Sequence, residues 1–409
     1  MKYLVKFTDS NVQNIILNIC IFLFGINFLY KCNYIVMAAF VLLFIFKRFR
    51  IDLGNKITLI TLLLFAISWY IFTDGHEIAG ICLPICYLIG CNIDEKDENG
   101  IIKFIFLISV SLALYTTLFF INNAIVNGIT SYDVYNQPNI WTGRPLWATN
   151  IMLYSSLFFS CFGYVIFSEK DKKIRIIYLI IFVLNAFYAL MLGRRAALLM
   201  IVLSLVISII YKIIYSDVDE RKRIIKIISI VVAVGFIGFV MFCVAYLFNI
   251  CGFEKFIKTT DLYPRFISNP NHEPIPMYYI KKFIGDSGRS ILRHEHLKHF
   301  TEFLWGGSKI KEIVGNYAHD IWLDCFDAAG IIAFIVIIIY SIFLIIKFIN
   351  ILKNKKVEIQ FKILISCIFI CMFVQFSIEP IMEACRAYAF GICMINGSLE
   401  LIKKEGNNG

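Results

Sequence analysis

Uncharged apolar runs of about twenty residues, the length a helix needs to cross the hydrocarbon of a bilayer, recur along most of this chain. Inside a bilayer no water is available to backbone N–H and C=O groups. A crossing segment must therefore satisfy them within itself as a helix, or around a closed barrel. Barrel strands alternate apolar and polar residues over about ten positions, whereas these runs are apolar on every face. The chain is thus expected to be an all-α membrane protein. With 59% hydrophobic and only 17% charged residues, a soluble enzyme and a disordered chain are both excluded, because neither can keep so much apolar surface in water.

The runs fall near 11–30, 34–46, 57–72, 78–92, 102–121, 146–167, 176–192, 196–214, 227–249, 326–348, 362–379 and 386–402, which predicts about twelve transmembrane helices. The first follows Lys2 and Lys6 and has no small-residue cleavage site, so it reads as a retained span and not as a signal peptide. Basic clusters at 47–50, 170–175, 220–226 and 353–356 lie on the inner side if the N-terminus is cytoplasmic. This divides the chain into spans 1–9 over 1–249, a large outer segment over 250–318, and spans 10–12 with a cytoplasmic tail over 319–409. The outer segment is long enough to escape the charge rule. The exceptions are Lys31, Arg144, Arg194, Arg195 and Arg386. Two adjacent arginines after Gly193, in a very short outer turn, call for either a different helix boundary or a function.

The net charge of +10 resides mostly in these loops, so it sets orientation and implies no nucleic-acid partner. The thirteen cysteines lie mostly within apolar runs with no CxxC pair, and read as small buried hydrophobes. Five of the six histidines fall between 272 and 319, which places any proton chemistry on the outer face. The outer segment begins with Pro264, Pro270, Pro274 and Pro276 and continues into a helix-permissive stretch near 290–303, so it should be partly helical.

Three constellations could carry chemistry, and two further features lie outside them. His294, His296 and His299 stand at i, i+2 and i+5, which do not share one helical face, so an exposed basic helix is expected in place of a metal site. Arg289 and Arg293, after Asp286-Ser287-Gly288, do share a face near a helix start. There they form either a fork for phosphate oxygens or a solvated basic face. At the re-entry of the chain, His319 precedes a helix bearing Asp320, Asp324 and Asp327 on one side. The imidazole is either a base for a sugar hydroxyl, supported by a carboxylate, or an interfacial cap. Glu379 and Glu383 flank Pro380 close to Arg386, the pattern of a structural ion pair. The loop 122–145 with Trp147, carrying Tyr132, Tyr135, Trp141 and Arg144, suits an interface belt or a sugar-stacking surface equally.

Taken in order, GRRAALLMIVLSLVI from Gly193, an outer segment carrying Ser287-Gly288-Arg289, and AHDIWLDCFDAAGIIAF from Ala318 resemble the bacterial O-antigen ligase and O-antigen polymerase superfamily. The resemblance spans the topology, while its specific motifs occupy only 193–199, 287–293 and 318–332. The family's first motif usually reads Gly-Ser-Arg; its arginine falls on Arg195, with Arg194 where serine is usual. Its loop arginine falls on Arg289. Its histidine falls on His319, followed here by Asp320 where asparagine is usual, so no role resting on an asparagine side chain carries over.

The resemblance implies a GT-C-like fold and a metal-independent, inverting glycosyl transfer, with no cofactor, at the outer face of the bacterial inner membrane. A glycan would leave its undecaprenyl diphosphate carrier for a sugar hydroxyl. By that reading Arg195 and Arg289 hold the diphosphate, helped by Arg194 and Arg293, and His319 activates the acceptor, with Asp320 and Asp324 on the substrate side. Arginines stay protonated and can stabilise the leaving oxygen. The acceptor is a lipid-linked repeat unit for a polymerase, the leading expectation, or lipid A-core for a ligase. A chain-length regulator protein is a further expected partner. A flippase of lipid-linked oligosaccharides is the alternative from another class. It is disfavoured because ionisable residues cluster at span ends and no internal repeat is apparent.

Overall fold

The computed structural model of the chain describes residues 10–46, 49, 56–93, 97–128, 137–260 and 288–402, with backbone alone at 220, 223, 227, 228, 230–232, 234–236 and 239. Lys2, Lys6, most of the 47–50 cluster, Tyr132, Tyr135, the prolines at 264–276, Asp286 and Ser287 lie outside the described residues. The helices are α1 Ser10–Gly25, α2 Cys32–Ile45, α3 Lys56–Phe72, α4 Ala79–Cys91, α5 Glu98–Val126, α6 Ala148–Ser160, α7 Phe162–Phe167, α8 Lys172–Met191, α9 Arg195–Tyr215 and α10 Val218–Leu247. After them come α11 Phe253–Lys258, α12 Arg289–Lys298, α13 Lys309–Val314, α14 Ile321–Lys353, α15 Ile359–Phe376, α16 Ile381–Ala384 and α17 Arg386–Ser398. A two-residue antiparallel pair, β1 Gln137–Pro138 and β2 Pro145–Leu146, closes the loop before α6.

Of the described residues 80% are helical, and each of the twelve apolar runs carries helix. Among the described residues six helical segments are long and apolar enough to span a membrane: α5, α6 with α7, α8, α9, α14 and α15. A seventh results if the end of α10 and the helix after it, bent by 102°, count as one. The helices α1 to α4 are apolar but have 16, 14, 17 and 13 residues. At 1.5 Å per residue they reach roughly 20–25 Å, short of a hydrocarbon layer of about 30 Å. The 13 residues of α17 fall short in the same way, so five of the twelve apolar runs carry helices too short to count as long spans.

The core lies where α4, α5, α6, α15 and α17 meet, around buried Tyr87, Tyr115, Phe158 and Tyr388. Gly90 and Gly397 let α4 and α17 approach so closely that an added Cβ on either would strike the other helix's backbone. Near the same contact Lys347 of α14 is paired with Glu400, which also accepts from the Tyr87 hydroxyl at 3.2 Å. Lys347 Nζ donates as well to Asn396 Oδ1 at 2.5 Å. Towards the periphery α8 leaves Ile176, Ile177, Ile180 and Val183 exposed, and α9 leaves Val202, Val206 and Ile210 exposed. Apolar faces of that extent belong against lipid.

The feature that positions the site is a break in α14. Gly330 adopts φ 78°, ψ −174°, a backbone region essentially restricted to glycine. The break strips several groups of their helical partners, and the segment 304–308 replaces them. Ile331 N–H donates to Leu304 O at 2.9 Å, Gly307 N–H to Ala328 O at 3.1 Å, and Ser308 N–H to Asp327 O at 2.8 Å. Ser68 of α3 donates to Ala329 O at 3.0 Å. The first third of α14 is thus a separate half-helix pinned between α3 and this loop. A Cβ on Gly330 would sit 2.8 Å from Leu304 O besides straining the backbone. Gly330→Ala should therefore destabilise the protein by about 1–3 kcal/mol, read as a lowered thermal midpoint in detergent; an unchanged midpoint would show that the break is not needed.

Candidate functional site

The half-helix starts at a turn built by carboxylates. Asp320 is its N-cap, accepting from Trp322 N–H at 3.1 Å and Leu323 N–H at 3.3 Å. Asp324 reaches back to accept from Ala318 N–H at 2.8 Å and Asp320 N–H at 3.0 Å. Between those two donors His319 is held at φ 56°, an uncommon conformation for a residue with a side chain. Asp327 takes the amides of Ile310 at 2.8 Å and Lys311 at 3.1 Å, anchoring α13. Burial pushes the Asp320 carboxyl above its ordinary value, against the Leu323 amide, Arg293 and the Trp322 amide, which lower it. Expected on the substrate side, Asp324 is only 4% exposed with both oxygens on backbone amides. Its geometry is that of an anchor for the His319 turn.

Helix α12 lays Arg289 and Arg293 against this turn and the end of α15. Arg289 Nη2 donates to Glu379 Oε1 at 3.0 Å. Arg293 Nη2 donates to His319 O at 3.1 Å and to Ser377 O, and its Nε lies 3.8 Å from Asp320 Oδ2. The other Glu379 oxygen, Oε2, is 3.9 Å from His319 Nδ1. Both of these atoms are buried and have no hydrogen-bond partner. The arginines share a face as their spacing predicts, and that face leans on the bundle with its side chains 29% and 33% exposed. His296 is buried, with Nε2 at 2.9 Å from Asn316 O, while His294 and Lys298 stay exposed, so α12 is the expected exposed basic helix on one face only.

Arg194 and Arg195 come from the turn between α8 and α9. Arg194 caps α9, and its Nη1 donates to Thr149 Oγ1 at the start of α6 at 2.6 Å. Along α9, the Cys371 thiol lies 3.7 Å from Met200 O and the Cys367 thiol 3.4 Å from Ser204 O. Helices α9 and α15 therefore run antiparallel. The start of α9, with Arg195 half-buried in its first turn, is at the end of the bundle where α15 gives way to Ser377 and Glu379. Arg289, Arg293, His319, Asp320 and Asp324 form one cluster, and Arg194 and Arg195 stand at the same end on neighbouring helices.

Sequence reasoning paired Glu379 and Glu383 with Arg386. Instead Arg386 Nη2 donates to Glu77 Oε2 at 2.5 Å, an oxygen that also accepts from the Trp69 indole at 3.3 Å. Pro380 turns the chain between the two glutamates, so Glu379 faces α12 while Glu383 faces the loop before α14. There Lys311 Nζ donates to the Tyr317 hydroxyl at 2.6 Å, which donates to Glu383 Oε2 at 3.2 Å. Two clefts flank Glu383. One of about 350 Å³ is walled by Asp74, Glu77, Lys311 and Glu383, and one of about 270 Å³ by Asn27, Lys31, Tyr154 and Arg386. Glu379, Tyr317, Lys311 and Glu77 were not singled out as site residues. A glutamate before proline at a span end was the one signal for the first of them.

Trp141 of the aromatic loop packs edge-on against Phe28 at 5.3 Å and donates to Ile26 O at 3.3 Å, so it seals the loop onto the turn that follows α1. Trp147 remains 56% exposed. Among the described residues no three His, Cys, Asp or Glu side chains converge as metal ligands. No protein-family model matches the sequence, and no curated protein matches it.

Burial pushes the Glu383 carboxyl above its ordinary 4.5, against Lys311 and the Tyr317 hydroxyl, which lower it. The folded state then holds this proton to higher pH than the unfolded one. Its contribution to stability is complete below about pH 4.5 and is lost as pH rises through the folded value. Thermal melts across that rise should fall more steeply for the wild type than for Glu383→Gln, which stays neutral. Parallel curves would contradict the burial of a titrating Glu383.

Proposed function

We propose that this protein is a membrane glycosyltransferase that polymerises undecaprenyl-diphosphate-linked oligosaccharide repeat units, by inverting transfer on the outer face of a bacterial cytoplasmic membrane. The observation that carries the reading is the convergence of Arg289, Arg293 and His319 in one cluster, at the same bundle end as Arg194 and Arg195. That combination suits the chemistry. The acceptor hydroxyl oxygen attacks the anomeric carbon from the face opposite the carrier. The bond to the diphosphate oxygen breaks and its electron pair stays on the diphosphate, while the hydroxyl proton passes to His319. Fixed guanidinium charge on Arg195 and Arg289 stabilises the leaving oxygen, with Arg194 and Arg293 in support. Asp320 and Asp324 hold the histidine turn at the position where the acceptor must approach.

Transfer measured in nanodiscs with a lipid-linked repeat unit should fall about 10²–10³-fold in Arg195→Ala and Arg289→Ala. It should fall about 10²–10⁴-fold in His319→Ala. Lys298→Ala, at an exposed side chain paired with Glu295 one turn away, should stay within about twofold, as surface pairs of that kind do. Equal, small effects at all four positions would sink the assignment.

Deleting the gene in its source organism separates the acceptors. Collapse of a surface ladder to single repeat units is the expected result. Loss of surface polymer with accumulation of lipid-linked polymer would establish a ligase, and repeats trapped on the cytoplasmic side a flippase.

A further inference from the structure

Glu379 is the most deeply buried charge in the cluster, 3% exposed, and its two oxygens are unequally used. One holds Arg289 at 3.0 Å; the other lies 3.9 Å from His319 Nδ1, and neither of those last two atoms has a hydrogen-bond partner. A gap of that width is about 1 Å too long for a hydrogen bond. The charged and polar groups around His319 are Arg293 on its carbonyl, Asp320 and Asp324 on its flanking amides, and Arg289 beyond Glu379. Of these, Asp324 is committed to backbone amides through both oxygens and Asp320 caps α14. Among the described residues Glu379 alone has a carboxylate oxygen within 4 Å of the ring.

We propose that Glu379 is a positioning residue shared between Arg289 and His319, and that a diphosphate arriving at Arg289 transfers this carboxylate from the guanidinium to the imidazole. The proposal rests on the function proposed above and adds an order to it, donor before acceptor. The Arg289 side chain is 29% exposed while that of Glu379 is 4% exposed, so an incoming diphosphate reaches the arginine and not the carboxylate. Once the diphosphate carries the guanidinium, the buried carboxylate has lost its counter-charge, and a buried carboxylate requires a partner. His319 Nδ1 is the nearest available. A ring whose Nδ1–H is bonded to a carboxylate presents the Nε2 lone pair outward, the form needed to take a hydroxyl proton, and the carboxylate stabilises the imidazolium that results. The base is thus set in its working form only when the leaving group is in place, which protects the empty enzyme from activating a hydroxyl with nothing to attack.

The test uses the full-length protein in nanodiscs, with undecaprenyl diphosphate as the binding probe and the lipid-linked repeat unit for turnover. Glu379→Gln keeps the shape and removes the competing negative charge. It should bind undecaprenyl diphosphate about 3–10-fold more tightly while kcat falls about 10–10²-fold, the size expected for a group that orients another. Glu379→Asp keeps the charge at shorter reach and should return binding to the wild-type level with part of the turnover. A merely structural glutamate would not tighten binding while slowing turnover. Binding by Glu379→Gln that is unchanged or weaker than wild type overturns the exchange and leaves the proposed function standing. Tighter diphosphate binding in a protein that transfers no sugar supports the exchange and overturns the function.

Discussion

A backbone group that loses its helical partner inside a bundle must find another, because no water reaches it there. This constraint runs through the His319 end of the protein. The break at Gly330 releases carbonyls and an amide a third of the way along the longest helix among the described residues, and the segment 304–308 with Ser68 takes them up. The chain before the break becomes a half-helix free to lean on its neighbours at its own angle. Its start needs caps of its own, supplied by Asp320 for the helix and by Asp324 for the turn that carries His319. Asp327 in turn holds the first amides of α13. Three aspartates on one helical face are thus used first as acceptors for backbone N–H groups, and the histidine conformation is what they leave behind.

The arginines meet the same constraint from the donor side. Arg293 spends its guanidinium on the carbonyls of His319 and Ser377, which ties the end of α15 to the start of α14. Arg289 meets a carboxylate instead, and Arg386 another, Glu77. Charge at this end of the bundle is therefore balanced between segments far apart in sequence: α12 meets the turn after α15, and the start of α17 meets the loop after α3. On α8 and α9 the outward faces present branched apolar side chains instead.

The helical architecture was legible because apolar length and periodicity are local properties: every apolar run carries helix, and the outer segment resumes as α12 near the expected position. The number of long spans was not, because run length in sequence does not say how many residues keep helical geometry; α1 to α4 stop short at turns such as those at Asn27 and Leu29. Arg289, Arg293 and His319 could be picked out by spacing and order, and they do meet. Their partners could not. Glu379 and Arg386 look paired along the chain, and only the turn at Pro380 and the packing of α12 separate them. Asp324 was equally opaque, since a backbone amide leaves no mark in a sequence to show which carboxylate it will need.

The buried pair of Lys347 and Glu400 has a consequence for how the protein is made. Lys347 belongs to α14, while Glu400 follows α15 and α17. Because synthesis proceeds from the N-terminus, α14 leaves the ribosome with its ammonium while the matching carboxylate does not yet exist. Lys347 lies six residues before the end of α14, so its insertion costs less than the roughly 3 kcal/mol of a central lysine, but α14 carries an unmatched ammonium until Glu400 is made. That helix is better kept at the insertion machinery until the later helices arrive, and Asn396 and Tyr87 can then close around the pair. Assembly of this half of the bundle is therefore a late and concerted event in the life of the nascent chain.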